Sequence, residues 1–347
     1  MGKMKKLINL TMFDLLKGVA IIGVVFGHSF MMETNAVLNP WFRKILHSLL
    51  MPSFFVVSGY WLKKKKVKIG LKTSVDYLLK PYILVILIID GIGLIHRWLQ
   101  GNLREWLDVF LIPSILVFTK GANRIVPMWF VFALFLAWCL FYVVLNIKNE
   151  KLHYVAAVAS AVVGGVLLAW KLPFQIAQGL IAFFYVYCGY LLKKKKLLDA
   201  KIHPFIYILL VVGWGLALVF GSMDLYSYNV KYGIFSILGS LCGAFLFIRM
   251  FLYLNLLEWR ILDGIRWIGR HSMWIVCLHA VEYAVIPWRV LFQFVQQGAF
   301  QRTLVYFIMR MIWIIIMCLC LLKIHVFRIK KKAQKRIHLK KNEEMTN

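Results

Sequence analysis

Long apolar runs alternate with short polar segments along almost the whole chain. An α-helix needs about 20 apolar residues to cross a bilayer, and Lys/Arg-rich loops stay on the cytoplasmic side. The pattern therefore predicts an all-α, polytopic membrane protein of about ten transmembrane helices, with both termini cytoplasmic. The predicted spans are 11–31, 45–62, 75–95, 127–147, 153–170, 176–192, 204–220, 232–253, 267–288 and 304–326.

Two runs of four lysines, at 63–66 and 193–196, follow apolar runs and mark cytoplasmic ends. Ten spans from an inside N-terminus place both lysine quartets on that side. The apolar segment 106–118 is too short to span and is predicted to be re-entrant or to lie at the outer surface. The resulting divisions are a cytoplasmic N-terminus at 1–10, a transmembrane domain at 11–326 and a basic cytoplasmic tail at 327–347.

The composition agrees with a cell-membrane location. Hydrophobic residues make up 62% of the chain and charged residues 16%, against about 45–50% and about 25% in soluble domains. The 42 Lys+Arg and 14 Asp+Glu give a net charge of +28, which we assign to cytoplasmic helix ends and not to nucleic-acid binding. The six cysteines all lie in apolar runs without metal-ligand spacing, so we expect neither a metal nor a bound cofactor. Membrane lipids are the expected surroundings.

Similar sequences precede the two lysine quartets. Residues 54–62 and 184–192 both contain an aromatic pair and then Gly-Tyr. An internal repeat, as membrane proteins often contain, is one explanation. Independent convergence of two helix ends is the other.

Polar side chains inside a membrane span are costly and by default mark function. The first span contains Asp14, Lys17 and His28. Lys17 and His28 are eleven residues apart, so they differ by only about 20° around a helix. One stripe thus carries an acid and a cation near the cytoplasmic end and an imidazole about 16 Å further along. The structural alternatives are an ion pair at the helix end and a histidine that only satisfies its neighbours.

Further polar or aromatic residues interrupt the later spans. Pro52 frees a backbone carbonyl and bends its helix, which can open a cavity. His279 and Glu282 lie one helical turn apart, and a hydrogen bond between them is the structural alternative to a functional role. The candidate binding residues from these segments are Lys80, Ser58, Trp129, His47, Ser272, His279 and Glu282.

Taken in order, these segments resemble the acyltransferase 3 family of membrane proteins, in particular its fucose 4-O-acetylase-like and intercellular-adhesion acyltransferase-like branch. The resemblance runs from about Phe13 to His279. The matching segments are 13–21 with His28, 51–55 with Ser58-Gly59-Tyr60, 77–82, Trp129-Phe130 with Leu134-Phe135, and Gly269 with Ser272 and His279.

The resemblance implies a ten-helix core that transfers an acyl group, commonly acetyl from cytosolic acyl-CoA, to a hydroxyl of a cell-surface glycan or a lipid-linked sugar. It makes His28 the candidate base. Lys17 stands where the family usually has Arg, and the family's basic pair on the third helix is reduced to Lys80, with Lys72 as a substitute. Leu50 stands where relatives often have a histidine, and His47 lies one turn earlier.

General acid–base chemistry agrees with this assignment, because an imidazole titrates near neutral pH. We hypothesise that His28 abstracts the acceptor's hydroxyl proton, that Lys17, Ser58 or Trp129 stabilises the oxyanion, and that Lys17 and Lys80 orient the donor. Asp14 joins the catalytic set as the neighbour of Lys17. The expected function is polysaccharide O-acetylation in the bacterial cytoplasmic membrane. The alternatives are a transporter of a glycan or lipid-linked sugar and a non-catalytic membrane scaffold.

Overall fold

The computed structural model of the chain describes residues 10–32, 40–112, 114, 126–257, 259–291 and 298–323, and these contain helices and no β-strand. The predicted N-terminal segment 1–10, apart from Leu10, and the tail 327–347 lie outside the described residues. The helices are α1 Leu10–Met32, α2 Pro40–Trp61, α3 Val67–Leu99, α4 Leu103–Trp106, α5 Trp129–Leu145, α6 Glu150–Leu167, α7 Ile176–Lys194, α8 Pro204–Phe220, α9 Ile234–Leu254, α10 Arg260–Arg270, α11 Ser272–Val285, α12 Trp288–Leu291 and α13 Ala299–Lys323.

Helix length and composition confirm a multi-pass membrane protein. The helices α1, α3, α6, α7, α9 and α13 are long and apolar enough to cross a membrane, and α5, α8 and α11 are shorter apolar helices. Helix α2 has 22 residues and carries Arg43, Lys44 and His47 in its first half. Within the described residues, each predicted span overlaps at least one helix. The count of ten crossings and the cytoplasmic termini remain predictions.

Two predicted boundaries are wrong. The span predicted at 267–288 is broken at His271 into α10 and α11. Helix α10 carries charged residues at every third or fourth position from Arg260 to Arg270, so it is amphipathic and does not continue an apolar span. Helix α3 begins at Val67, eight residues before the predicted start, and contains a π-helical turn at Val75–Leu79.

Helix α1 packs closely against α10 at two glycines. A Cβ at Gly18 would lie 2.1 Å from the Ile265 carbonyl oxygen, and a Cβ at Gly269 would lie 1.7 Å from the Asp14 carbonyl oxygen. Only a residue without a side chain permits this approach. Gly18 and Gly269 therefore have a structural reason to be glycine.

The similar segments before the two lysine quartets pack against each other. A Cβ at Gly59 of α2 would lie 1.8 Å from the Val186 carbonyl oxygen, and a Cβ at Gly189 of α7 would lie 1.9 Å from the Val56 carbonyl oxygen. The rings of Phe55 and Tyr185 stack with centroids 6.3 Å apart.

Later residues of α7 lie beside later residues of α2: the Phe55 ring stacks on Tyr185, whereas the Lys193 ammonium lies 5.4 Å from the centroid of the Tyr60 ring. Helices α2 and α7 therefore run in the same direction. The lysine quartets at 63–66 and 193–196 therefore lie at the same end of the bundle, as the positive-inside pattern predicts. Three apolar helices, α3, α5 and α6, connect the two. A further crossing by 106–118 would have made α2 and α7 antiparallel.

We predict that Gly59→Ala strongly destabilises the fold, because the new methyl group overlaps a backbone oxygen of α7 and forces the two helices apart. Overpacking of this kind costs about 1–3 kcal/mol or more. The midpoint of thermal unfolding of purified protein in detergent measures the effect.

Gly91→Ala is the matched control for that substitution. No atom lies within 4 Å of a Cβ built at Gly91, and alanine is favoured over glycine inside a helix. Its midpoint should equal or exceed that of the wild type. Equal midpoints for both variants would show that the α2–α7 contact is looser than this structure has it.

Candidate active site

A cavity of about 250 Å³ opens in the half of the bundle away from the lysine quartets. Its walls are mainly apolar and aromatic, with a few polar groups among them, as is typical of small-molecule sites. Residues that line it come from the second half of α1, from α2 as far as Phe54, the start of α5, the α8–α9 loop and α11: among them are His28, His47, Trp129, Asp224 and His279.

A chain of hydrogen bonds leads from His28 into the protein core. His28 Nδ1 lies 2.7 Å from His279 Nε2, and His279 Nδ1 lies 2.7 Å from Glu282 Oε1. Helix α11 places His279 and Glu282 on one face because they are three residues apart. Both side chains are fully buried, whereas His28 is partly exposed to the cavity.

Arg310 of α13 binds Glu282, on the side of the network away from the cavity. Its Nε and Nη2 atoms donate to Glu282 Oε1 at 2.9 and 2.7 Å, and its Nη1 donates to Ser29 Oγ at 3.1 Å. The Trp288 indole N–H donates to the other oxygen, Glu282 Oε2. A fully buried carboxylate thus has a fully buried guanidinium beside it, and a buried charge persists only with such a partner.

The hydrogen bonds fix which imidazole nitrogens carry protons. Glu282 is a carboxylate and only accepts, so His279 Nδ1 is the donor and His279 Nε2 is an acceptor. His28 Nδ1 must then be the donor to His279, which leaves His28 Nε2 with a free lone pair. Arg310 Nη2 lies 3.2 Å from His279 Nδ1, but this longer contact does not compete with the 2.7 Å bond to Glu282. The residue at the cavity wall is therefore prepared to accept a proton.

A second polar cluster lies at the cavity, on α2 and the α8–α9 loop. Arg43 Nη2 lies 3.0 Å and His47 Nδ1 3.2 Å from Asp224 Oδ2. The Ser227 backbone N–H donates to Asp224 Oδ1 at 3.1 Å, and Asp224 and Asn229 pair through backbone hydrogen bonds of 2.8 and 2.9 Å. This tight turn fixes the position of the carboxylate.

Asp224 is ionised despite its burial. Burial alone would raise the pKa of its carboxyl, but the hydrogen bond and charge of His47, together with the Ser227 hydrogen bonds, outweigh that effect and hold the pKa well below its usual range. Burial raises the pKa of the neighbouring Tyr226 phenol to about 12, so its hydroxyl keeps its proton near neutral pH. Tyr226 also lines the cavity.

Comparison with protein families gives one result for this chain. Residues 11–323 match the model of the acyltransferase domain of the acyltransferase 3 type. The chain belongs to the acyltransferase 3 family. The matched range covers all the helices described above except for Leu10 at the start of α1. Comparison with curated proteins and with solved structures returned no match.

The structure of this acyltransferase brings together four of the sequence-predicted residues. His28, His47, Trp129 and His279 all line the cavity, and Glu282 lies directly behind His279. The predicted hydrogen bond between His279 and Glu282 is present, but it is one part of a longer chain that reaches the cavity. The hydrogen bond between His279 and Glu282 is therefore not only a local contact between two neighbours on one helix.

Asp14 and Lys17 lie elsewhere in the acyltransferase. They form an ion pair of 2.9 Å near the lysine-quartet end of α1, and Lys17 lies about 16 Å along the helix from His28. Ile21 is the first α1 residue at the cavity wall. Asp14, Lys17 and His28 thus share one face of α1, but the ion pair lies outside the cavity and only His28 lines it. A role for this pair at the donor remains a prediction.

Three other predicted residues also lie outside the cavity. Lys80 pairs with Asp76 at 2.5 Å on the exposed surface of α3. Ser58 Oγ accepts a hydrogen bond of 2.8 Å from the Trp138 indole. Ser272 begins α11, about 10 Å along the helix from His279. Their predicted binding roles remain predictions.

Sequence reasoning missed Arg310, Arg43 and Asp224. Arg310 stands in the middle of the last apolar run, where a charge is unusual, so the rule that found His28 also finds it. Arg43 and Asp224 stand near helix ends, where charged residues are common and carry no signal. Within the described part of the chain, no three His, Cys, Asp or Glu side chains converge to form a metal site.

Proposed function

We propose that this membrane acyltransferase transfers an acyl group, acetyl from acetyl-CoA, to a hydroxyl of a cell-surface glycan or lipid-linked sugar in the bacterial cytoplasmic membrane. The observation that carries the proposal is the series of hydrogen bonds His28–His279–Glu282 at the wall of a cavity, in a protein that belongs to an acyltransferase family. Its geometry suits a general base for a hydroxyl nucleophile.

In the proposed reaction the acceptor hydroxyl oxygen attacks the thioester carbonyl carbon, and His28 Nε2 takes the hydroxyl proton. The new C–O ester bond forms and the C–S bond breaks. The CoA thiolate leaves and takes up this proton from His28. During the step, the positive charge on His28 is stabilised through His279 by the Glu282 carboxylate, in the way that a carboxylate supports a catalytic histidine.

The cavity walls suit a sugar acceptor. Trp129, Phe54 and Phe130 line the cavity, and aromatic rings offer large apolar surfaces against which the C–H groups of a sugar ring can pack. In this proposal Trp129 orients the acceptor.

The lysine-quartet end suits the polyanionic donor. Lys17 and Lys80 lie in this half of the molecule with the quartets 63–66 and 193–196. Cationic groups there attract CoA phosphates. The acyl end then has to reach His28 along α1, through the buried layer that separates Lys17 from the cavity.

The test uses purified protein in liposomes, acetyl-labelled acetyl-CoA and a sugar or oligosaccharide acceptor. Formation of a labelled, alkali-labile ester supports the proposal, with empty liposomes as the control. Movement of the acceptor into the liposomes without ester would instead identify a transporter, and that outcome contradicts the proposed transfer.

A second expected result concerns the donor. Lys80→Gln should raise the KM for acetyl-CoA several-fold and leave kcat nearly unchanged, because Lys80 would contribute equally to binding of the ground state and the transition state. Lys171→Gln, an exposed lysine between α6 and α7 at the other end of the bundle, is the control. An unchanged KM in the Lys80 variant removes Lys80 from the donor site.

A further inference from the structure

The Arg43–Asp224–His47 cluster shares one cavity with His28 but takes no part in the proposed proton transfer. Arg43 and His47 lie on the first turns of α2 and Asp224 on the α8–α9 loop. The cluster therefore lines the same cavity as His28, and its role depends on which groups it presents to a ligand.

The cation of the cluster is accessible and the anion is not. The Arg43 side chain is 50% exposed, and that of Asp224 is only 11% exposed. A ligand that enters the cavity therefore meets the guanidinium before the carboxylate. The His47 side chain is 35% exposed and stands beside them.

The hydrogen bonds within the cluster also decide which of its groups remain available to a ligand. Asp224 accepts from Arg43 and His47 at one oxygen and from the Ser227 N–H at the other, so the carboxylate is engaged on both sides. Arg43 uses one Nη2–H for Asp224 and has four further N–H donors. What remains for a ligand is chiefly a set of donors held in place by a fixed carboxylate.

A neutral sugar hydroxyl needs both donors and acceptors, whereas an oxyanion needs donors alone. A guanidinium fork matches the geometry of a carboxylate or a phosphate. The neighbouring Lys44 does not line the cavity but adds positive charge beside Arg43, since its ammonium group contacts only neutral groups there, the Leu218 carbonyl at 3.1 Å and the Trp41 ring with 5.2 Å to the centroid. The local charge thus favours an anionic ligand.

We propose that the Arg43–Asp224–His47 cluster is an oxyanion subsite that selects acceptor sugars bearing a carboxylate or a phosphate group. Arg43 would bind the oxyanion, Asp224 would position Arg43, and the sugar ring would lie between this subsite and His28. This specificity builds on the proposed function. It limits the acceptor class to acidic sugars and sugar phosphates, which include phosphate-linked lipid carriers.

The test measures binding without any acyl donor, so it does not depend on turnover. Purified full-length protein in lipid nanodiscs is titrated with glucose, glucuronate and glucose 1-phosphate. We expect at least one of the two anions to bind about 10-fold or more tightly than glucose, since hydrogen bonds to a charged group are roughly twice as strong as those between neutral groups. Which anion is preferred distinguishes a sugar acid from a sugar phosphate.

Arg43→Gln should bring the three ligands to within about twofold of one another, and Arg43→Lys should retain part of the preference because it keeps the charge without the fork. Lys231→Gln is the control. Lys231 lies in the same loop as Asp224 but does not line the cavity, and its variant should bind like the wild type. Equal binding of all three ligands by the wild type, or a preference that survives Arg43→Gln, would overturn the subsite.

His28→Ala separates this proposal from the proposed function. The variant should keep the preference for anions and lose acyl transfer. If the wild type shows the preference but forms no ester, the proposed function fails and the subsite stands. If the wild type forms ester but binds all three ligands equally, the subsite fails and the proposed function stands.

Discussion

The His28→Ala variant is expected to form ester at least about 100-fold more slowly than the wild type, because a positioned general base contributes about 10²–10⁴-fold. His28 is the one member of the hydrogen-bonded chain that lines the cavity with an unprotonated nitrogen available. Alanine removes that nitrogen and leaves His279 Nε2 facing the space where His28 was. The initial rate of ester formation in nanodiscs, at saturating acetyl-CoA, measures the effect.

His96→Ala is the matched control for this substitution. His96 is an exposed histidine near the end of α3 and does not line the cavity, so its variant should react at the wild-type rate. A His28→Ala protein that unfolds at the wild-type temperature and still reacts at the wild-type rate would remove His28 from the base assignment. Recovery of activity with added imidazole would strengthen that assignment.

The positions of the helices could be predicted because each apolar run has to bury its backbone polar groups in helix when it enters a membrane. The break at His271 was not predicted, because the apolar face of α10 continues the hydrophobic pattern of α11 and hides the charged face. The similarity of the segments before the two lysine quartets was visible in the sequence, but it did not predict that α2 and α7 pack against each other. Their contact follows from Gly59 and Gly189, whose partners only the structure shows.

Half of the candidate site was predictable from local spacing. His279 and Glu282 are neighbours on a helix, so their hydrogen bond follows from sequence. The contact of His28 with His279 joins residues 251 positions apart, and Arg43 and Asp224 are 181 positions apart. Helical periodicity gives the direction of a side chain and not the helix that it faces. For the same reason it placed Lys17 on the face of His28, about 16 Å away along the helix, but did not show that the cavity begins only at Ile21.

We expect Arg310→Met to lower the free energy of unfolding by about 3–5 kcal/mol, since it leaves the Glu282 carboxylate buried without its ionic partner. Arg310 and Glu282 are both fully buried, and Arg310 contacts both the carboxylate and Ser29 of α1. Reversible unfolding in mixed micelles measures the change. Ester formation should fall as well, because a displaced Glu282 no longer fixes the proton on His279 Nδ1.

The double variant Arg310→Met/Glu282→Met distinguishes ionic compensation from packing. Removing both charges leaves no buried ion, and buried pairs replaced by apolar residues are often as stable as the original. The double variant should therefore be more stable than Arg310→Met alone and still be poorly active, because His279 has lost its acceptor. Arg270→Met, at the exposed end of α10, should match the wild type in both measurements. If the double variant is instead less stable than the single one, Arg310 stabilises the fold through packing and not by compensating the charge of Glu282.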